Sequence, residues 1–189
     1  MARIPYLDRQ DLAESDRAIF DRITIPRSVG GNNSRMPNFR RALLNSPRAA
    51  EVVGRLGDYV SSESKLDPVA REIAILSVAR EIDSHFEWAH HEPVARRVGV
   101  RDETIESIKS GRAPMGLPAK EGVFAQAAKE VAGKGTMTER TFQAILHLLG
   151  PAGTVDLIVL AGYYAMLGGA LSALEVELEP ALEDGLGAG

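Results

Sequence analysis

Asp67-Pro68-Val69-Ala70-Arg71-Glu72-Ile73-Ala74-Ile75-Leu76-Ser77-Val78-Ala79-Arg80-Glu81-Ile82-Asp83-Ser84-His85-Phe86-Glu87-Trp88-Ala89-His90-His91-Glu92-Pro93-Val94-Ala95-Arg96-Arg97-Val98-Gly99 is the stretch from which the rest of the chain is read. It holds three of the four histidines and the only tryptophan, within a few residues of several carboxylates. Two helices follow from its pattern. Asp67 accepts the free N–H groups of a first turn and Pro68 suits the first helical position, where its missing N–H has no partner to lose. Val69, Ile73, Leu76 and Ile75 with Val78, Ala79 and Ile82 recur at three- and four-residue spacings, which marks a buried face. Glu72 lies on or beside that face, so its ionised form needs a partner. The plainer reading is a Glu72 at the surface, paired with Arg71 or Arg80.

The second helix opens at Ser84. Ser84 followed three residues later by Glu87 matches the capping box, which offers Glu87 a purely structural task. Glu87 also stands three residues from His90 and four from His91, within reach of either along a helix. Gly99 reads as the glycine that ends this helix, and Pro93 inside it predicts a kink or local unwinding.

Outward from this centre, 189 residues suit one domain with an appended arm, and 44% hydrophobic with 25% charged residues is ordinary globular composition. The net charge of −4 and scattered basic residues give no footprint for nucleic acid. Without cysteine there is no disulfide framework and no thiolate site, and with no signal-peptide core at the N-terminus the expected location is cytoplasmic. Asp11 to Ile23 reads as a helix stopped by Pro26. The Gly30-Gly31-Asn32-Asn33-Ser34 run, continued by Pro37, reads as a loop. Residues 1–36 are therefore expected to form an N-terminal arm, 37–180 a single helical domain and 181–189 a flexible tail.

Phe39 to Leu44 reads as a short helix, Ser46-Pro47 starts another through Val60, and Asp102 caps a third that Gly111 closes. Pro114, Gly116 and Pro118 make a break. Glu121 to Ala132 is the next helix, ended by Gly133 and Gly135. Thr138 caps a helix from Glu139 to Leu149, terminated by Gly150 and Pro151. His147, near its end, is expected to be structural or exposed. Val155 to Leu174 is the longest apolar run, nearly long enough for a bilayer. Asp156, Tyr163, Tyr164, Ser172 and the lack of flanking basic residues argue against a membrane and for burial in a core or subunit interface. No strand alternation survives, so the expected fold class is all-α.

Arg71-Glu72-Ile73-Ala74-Ile75-Leu76, Ser84-His85-Phe86-Glu87-Trp88-Ala89-His90-His91, and then Gly99-Val100 and Ile105 resemble the carboxymuconolactone decarboxylase family, which includes the alkyl hydroperoxidase D proteins. The motif spans about 35 residues, and the order of helices resembles the family over roughly Leu43 to Leu178. The resemblance implies an all-helical bundle assembled as a homo-oligomer: a dimer, trimer or hexamer. In the hydroperoxidase branch a glutamate is followed twelve residues later by Cys-x-x-Cys, with a histidine four residues beyond. Glu72 matches the glutamate, Ser84 and Glu87 fall on the cysteines, and His91 matches the histidine. Both sulfurs are missing, and with them the thiol-dependent peroxide chemistry.

What remains is equipment for moving protons. The lactone decarboxylase branch implies loss of CO2 from a small carboxylated lactone or related aromatic-catabolism compound. On that reading His91 is the general acid or base, Glu72 orients it or relays its proton, and Glu87 tunes the pair. His90, Trp88, Tyr163 and Tyr164 are expected substrate contacts in a small-molecule pocket between the two central helices, with neither cofactor nor metal required. Two alternatives stay open. One is a metal-assisted enzyme that uses Glu87-x-x-His90 with Glu72 or His85 as ligands. The other is a non-catalytic oligomeric binding protein, in which Glu87 caps its helix, Trp88 fills the core and the histidines form a polar face.

Overall fold

The structure, a computed structural model, describes residues 2–23, 36–111, 118–180, 182 and 184–186. Among them are eight α-helices and no strand: α1 (Arg17–Ile23), α2 (Asn38–Leu43), α3 (Pro47–Asp58), α4 (Pro68–Glu81), α5 (His85–Val98), α6 (Asp102–Lys109), α7 (Ala119–Lys134) and α8 (Glu139–Ala173). The all-α expectation holds. Pro26, the loop read at Gly30 to Ser34, and Pro114 and Gly116 lie outside the described residues.

Helix α4 is the axis of the fold. Asp67 caps it by accepting from the N–H groups of Val69 and Ala70 at 3.0 and 3.2 Å, satisfying donors that a helix start leaves free. The periodicity suggested one buried face, yet every residue from Glu72 to Ala79 is buried. The reason is that α5, α6, α7 and α8 all pack against α4 and leave it no solvent side. A helix apolar around its circumference is stable only when so enclosed. The one hydroxyl in the run, Ser77 Oγ, donates to the carbonyl of Ile73 at 2.7 Å and carries no unsatisfied proton into the core. Ile73, Leu76, Val78, Trp88, Ile105, Ile145, Leu157 and Leu160 are the large side chains at the centre of that core, each less than 2% exposed. A smaller cluster of Leu12, Ile23, Leu44 and Ala50 joins α1 and the turns before it to α2 and α3.

Several local readings are refined. The segment read as one helix from Asp11 is two 3-10 turns, Arg9–Asp11 and Glu14–Asp16, before α1 begins at Arg17. Arg101, not Asp102, occupies the cap position of α6; Asp102 lies in its first turn, where an acidic charge still complements the helix dipole. Helix α5 runs through Pro93 as one helix, ended by Gly99 in the left-handed conformation at φ 99°. The break read at Gly150-Pro151 is present as a kink within α8, where Gly150 has φ 66° and ψ 179°. On its far side Pro151 restarts the helix. The exposed flank of α8 carries Val155, 59% exposed, and Met166, 46% exposed.

The C-terminal segment lies back over α2 and α5. Asn38 Nδ2 donates to the Glu177 carbonyl at 3.0 Å, Asp184 hydrogen-bonds His85 at 2.8 Å, and Leu186 is buried in the main core.

Candidate functional site

The α4–α5 connection sets the site. After Glu81 the chain turns through Ile82, Asp83 in the left-handed region at φ 55°, and Ser84. Ser84 Oγ accepts from the Glu87 N–H at 3.4 Å, and the Ser84 N–H donates to the Ala79 carbonyl at 2.7 Å, so α5 folds back on α4. The capping box read at Ser84 and Glu87 is only half built. The serine caps, but the Glu87 carboxylate turns inward along its helix toward His91.

Across the two helices, His91 Nδ1 donates to Glu72 Oε2 at 2.9 Å. His91 Nε2 faces Glu87 Oε2 at 3.9 Å. Each ring nitrogen thus has its own carboxylate, and both carboxylates are buried, each 4% exposed. Glu87 Oε1 is buried with no hydrogen-bond partner. From α8, Tyr164 sets its ring edge-on to the imidazole with centroids 5.0 Å apart, and Tyr163 stands edge-on to Tyr164 at 5.2 Å. Arg71 Nε lies 3.9 Å from Glu72 Oε1, the oxygen that His91 does not use.

Burial and charge set the protonation of this group. Burial pushes the Glu87 carboxyl up to about 7, against the pull of the positive His91. For His91 burial acts downward, but the charge and hydrogen bond of Glu72, followed by the charge of Glu87, outweigh it. Its pKa ends above the ordinary value, even with Arg71 opposing. Burial, then the charges of Glu87 and Glu72, lift the Tyr164 phenol well above its usual range, so it is neutral. The site therefore pairs a histidine whose protonated form its acidic neighbours favour with a carboxyl that titrates at about 7, a combination that acid–base catalysis uses.

The remaining expected contacts are placed elsewhere. His90 is one residue on from Ala89 and turns away from Glu87 and Glu72. It stacks on Phe86 with centroids 4.4 Å apart and pairs through Nε2 with Glu179 at 3.2 Å. Burial, then the charge of His91, drives its pKa down to about 4, so it is neutral. Trp88 is fully buried in the main core and donates its indole N–H to Glu92 at 2.8 Å. His147 is exposed. Among the described residues no three His, Asp or Glu side chains are arranged to hold a metal ion, so the Glu87-x-x-His90 pair finds no completing ligands there. Two neighbours of these side chains were not among the expected site residues. Arg71 was visible as the neighbour of Glu72 in the motif, whereas Glu179 lies 89 positions beyond His90 in the chain and carries no local signal.

Residues 47–130, from the start of α3 into α7, match the carboxymuconolactone decarboxylase family. Glu72, Ser84, Glu87 and His91 lie inside the matched segment, and Tyr163 and Tyr164 outside it. The chain has no cysteine anywhere. No curated protein matches it.

Proposed function

Taking the carboxymuconolactone decarboxylase family segment at residues 47–130 as premise, we propose that this protein is an acid–base enzyme acting on a small carboxylated lactone or a related unsaturated carboxylic acid. The observation that supports this best is the buried Glu72–His91 hydrogen bond at 2.9 Å, with Glu87 on the opposite ring nitrogen. Glu72 holds the ring in one orientation and keeps it charged, leaving Nε2–H as the proton to be used. In decarboxylation the bond from the ring carbon to the carboxylate breaks, CO2 departs, and the electron pair passes into the conjugated lactone carbonyl. His91 Nε2 then delivers its proton to carbon. Glu87, titrating near neutrality, returns a proton to His91 from solvent. Tyr164 packs edge-on against the imidazole and contributes no charge.

The binding-protein alternative draws less support, because Glu87 is not spent on capping and the His91 side chain is only 14% exposed. The metal alternative lacks a ligand set among the described residues. We also propose that the chain self-associates through the exposed flank of α8, since Val155 and Met166 leave apolar area in water there and Gly162 and Gly169 have open space beside them.

The test is CO2 release and solvent-deuterium incorporation across a panel of carboxylated γ-lactones and β-keto acids. For any compound turned over, His91→Gln should lower kcat by about 100-fold or more, the range expected for a lost general acid, with the fold unchanged by circular dichroism. A His91→Gln protein as active as wild type removes the mechanism.

A further inference from the structure

Arg71 is one of two groups of this site with polar atoms that meet no hydrogen-bond partner among the described residues. A guanidinium offers five N–H donors in a flat fork and stays charged, so a largely buried arginine is ordinarily matched to a carboxylate or to carbonyls. Arg41 shows the ordinary case in this chain. Its side chain is 9% exposed, donates to both oxygens of Asp8 at 3.1 and 2.9 Å, and reaches the Tyr6 carbonyl at 3.4 Å. The Arg71 side chain is 16% exposed, yet its one ionic contact among the described residues is Glu72 at 3.9 Å, beyond hydrogen-bond reach. It makes no hydrogen bond to any described residue.

Its place in the site is set by Glu72, whose two oxygens divide between neighbours. One accepts from His91 and the other faces Arg71, so the guanidinium lies about one carboxylate's width from the imidazole. Across the ring stands the second unmet group, Glu87 Oε1, buried and without a partner. A partly exposed cation without a hydrogen bond to any described residue on one side of His91 and a buried carboxyl oxygen without a partner on the other are complementary to a ligand that brings an anion for the first and a polar oxygen for the second.

We propose that Arg71 is the carboxylate-recognition residue of this site, a positioning residue that forks onto a substrate carboxylate and holds the rest of the substrate beside His91. The proposal rests on the proton-transfer reading above and adds to it the group that selects charged over neutral substrates. Glu72 has a second consequence here. Because it neutralises Arg71 only weakly at 3.9 Å, an arriving carboxylate at hydrogen-bond distance competes successfully for the fork, while Glu72 keeps its bond to His91.

The experiment compares 5-oxotetrahydrofuran-2-carboxylate with its neutral methyl ester, each titrated into the full chain labelled with 15N-histidine. Affinity is read from the displaced His91 ring resonances. In wild type the carboxylate should bind about tenfold or more tighter than the ester, the discrimination of one charge-assisted fork. Arg71→Met should erase that preference and leave ester binding unchanged; Arg71→Lys should restore part of it, since it keeps the charge and loses the fork. Should Arg71→Met fail to fold, Arg71→Lys alone decides, with a several-fold loss expected for the carboxylate and none for the ester. Equal carboxylate binding by wild type and the Arg71 variants, an ester bound as tightly as the acid, or no binding of either probe by wild type each overturns the proposal. The outcome is separable from the catalytic reading. Turnover that depends on His91 but not on Arg71 defeats only this inference, and Arg71-dependent binding without turnover defeats only the chemistry.

Discussion

Glu87→Gln isolates the energetics of the buried carboxyl. The substitution keeps the shape of the side chain and removes its titration. In the folded protein this group sits near 7 against an ordinary value of 4.5, because it is enclosed and one oxygen has no partner. A carboxyl whose folded pKa is raised binds its proton more tightly in the native state than in the unfolded chain. Its contribution is therefore fully present below pH 4.5 and is lost as pH rises through about 7. The gap between 4.5 and about 7, at about 1.4 kcal/mol per pH unit, amounts to about 3 kcal/mol. That is a large share of the roughly 5–15 kcal/mol by which domains are stable. Wild type and Glu87→Gln should thus be nearly equal in stability at about pH 4.5 and diverge on the alkaline side, with the variant more stable by about 2–3 kcal/mol at about pH 8.5. His91 loses the support of Glu87 in the variant, but Glu72 supplies the larger share and remains. Urea unfolding of both proteins across that range measures the difference directly, and titrating groups that do not touch Glu87 cancel between them. A difference that stays flat with pH would refute the account of Glu87 as a buried, uncompensated acid.

Three further outcomes follow from the geometry. Glu72→Ala leaves the His91 imidazole without its Nδ1 partner, so the His91 pKa should fall below its wild-type position by NMR titration. The variant should lose about 3–5 kcal/mol of stability near neutrality, and an unmoved His91 titration would contradict the pairing. Alanine at two glycines should act in opposite directions. At Gly57 the new methyl would lie 2.5 Å from the Tyr163 hydroxyl and should destabilise by about 1–3 kcal/mol, whereas at Gly162, with nothing within 4 Å, it should stabilise the monomer by up to about 1 kcal/mol through helix propensity. Thermal unfolding distinguishes them, and equal shifts would contradict the packing of α3 on α8. Met166→Lys on the exposed flank of α8 should lower the mass measured by sedimentation equilibrium if that flank joins subunits, and an unchanged assembly would place the interface elsewhere.

The tertiary structure bears on the candidate site residue by residue. The twelve-, fifteen- and nineteen-residue spacings among Glu72, Ser84, Glu87 and His91 were readable in the chain, and they suffice to bring Glu72 and His91 together once two helices fold back on each other through Ile82-Asp83-Ser84. Which carboxylate meets which nitrogen was not readable. On helical spacing alone Glu87 was as well placed for His90 as for His91, and a capping role competed for the same side chain. The answer depends on where α4 and α8 crowd the face of α5. His90 stacks on Phe86, four residues back on the same helix, but its ionic partner Glu179 comes from a distant part of the chain, and no period in the sequence announces that.

By itself, then, the sequence determined what depends on neighbours a few residues apart. It shows the helical periodicity, the Asp67, Ser84 and Thr138 caps, the stops at Gly99 and Gly135, the break at Gly150, and the motif shared with the family. These are short-range because a cap or a turn closes within one helical turn of backbone. Tertiary structure alone decided that α4 is enclosed on every side, that Glu87 has an orphan oxygen and a pKa near 7, and that Arg71 stands beside Glu72 without a hydrogen bond. Those properties come from the loss of water and the approach of charges on separate helices, and both are set by packing between segments far apart in the chain.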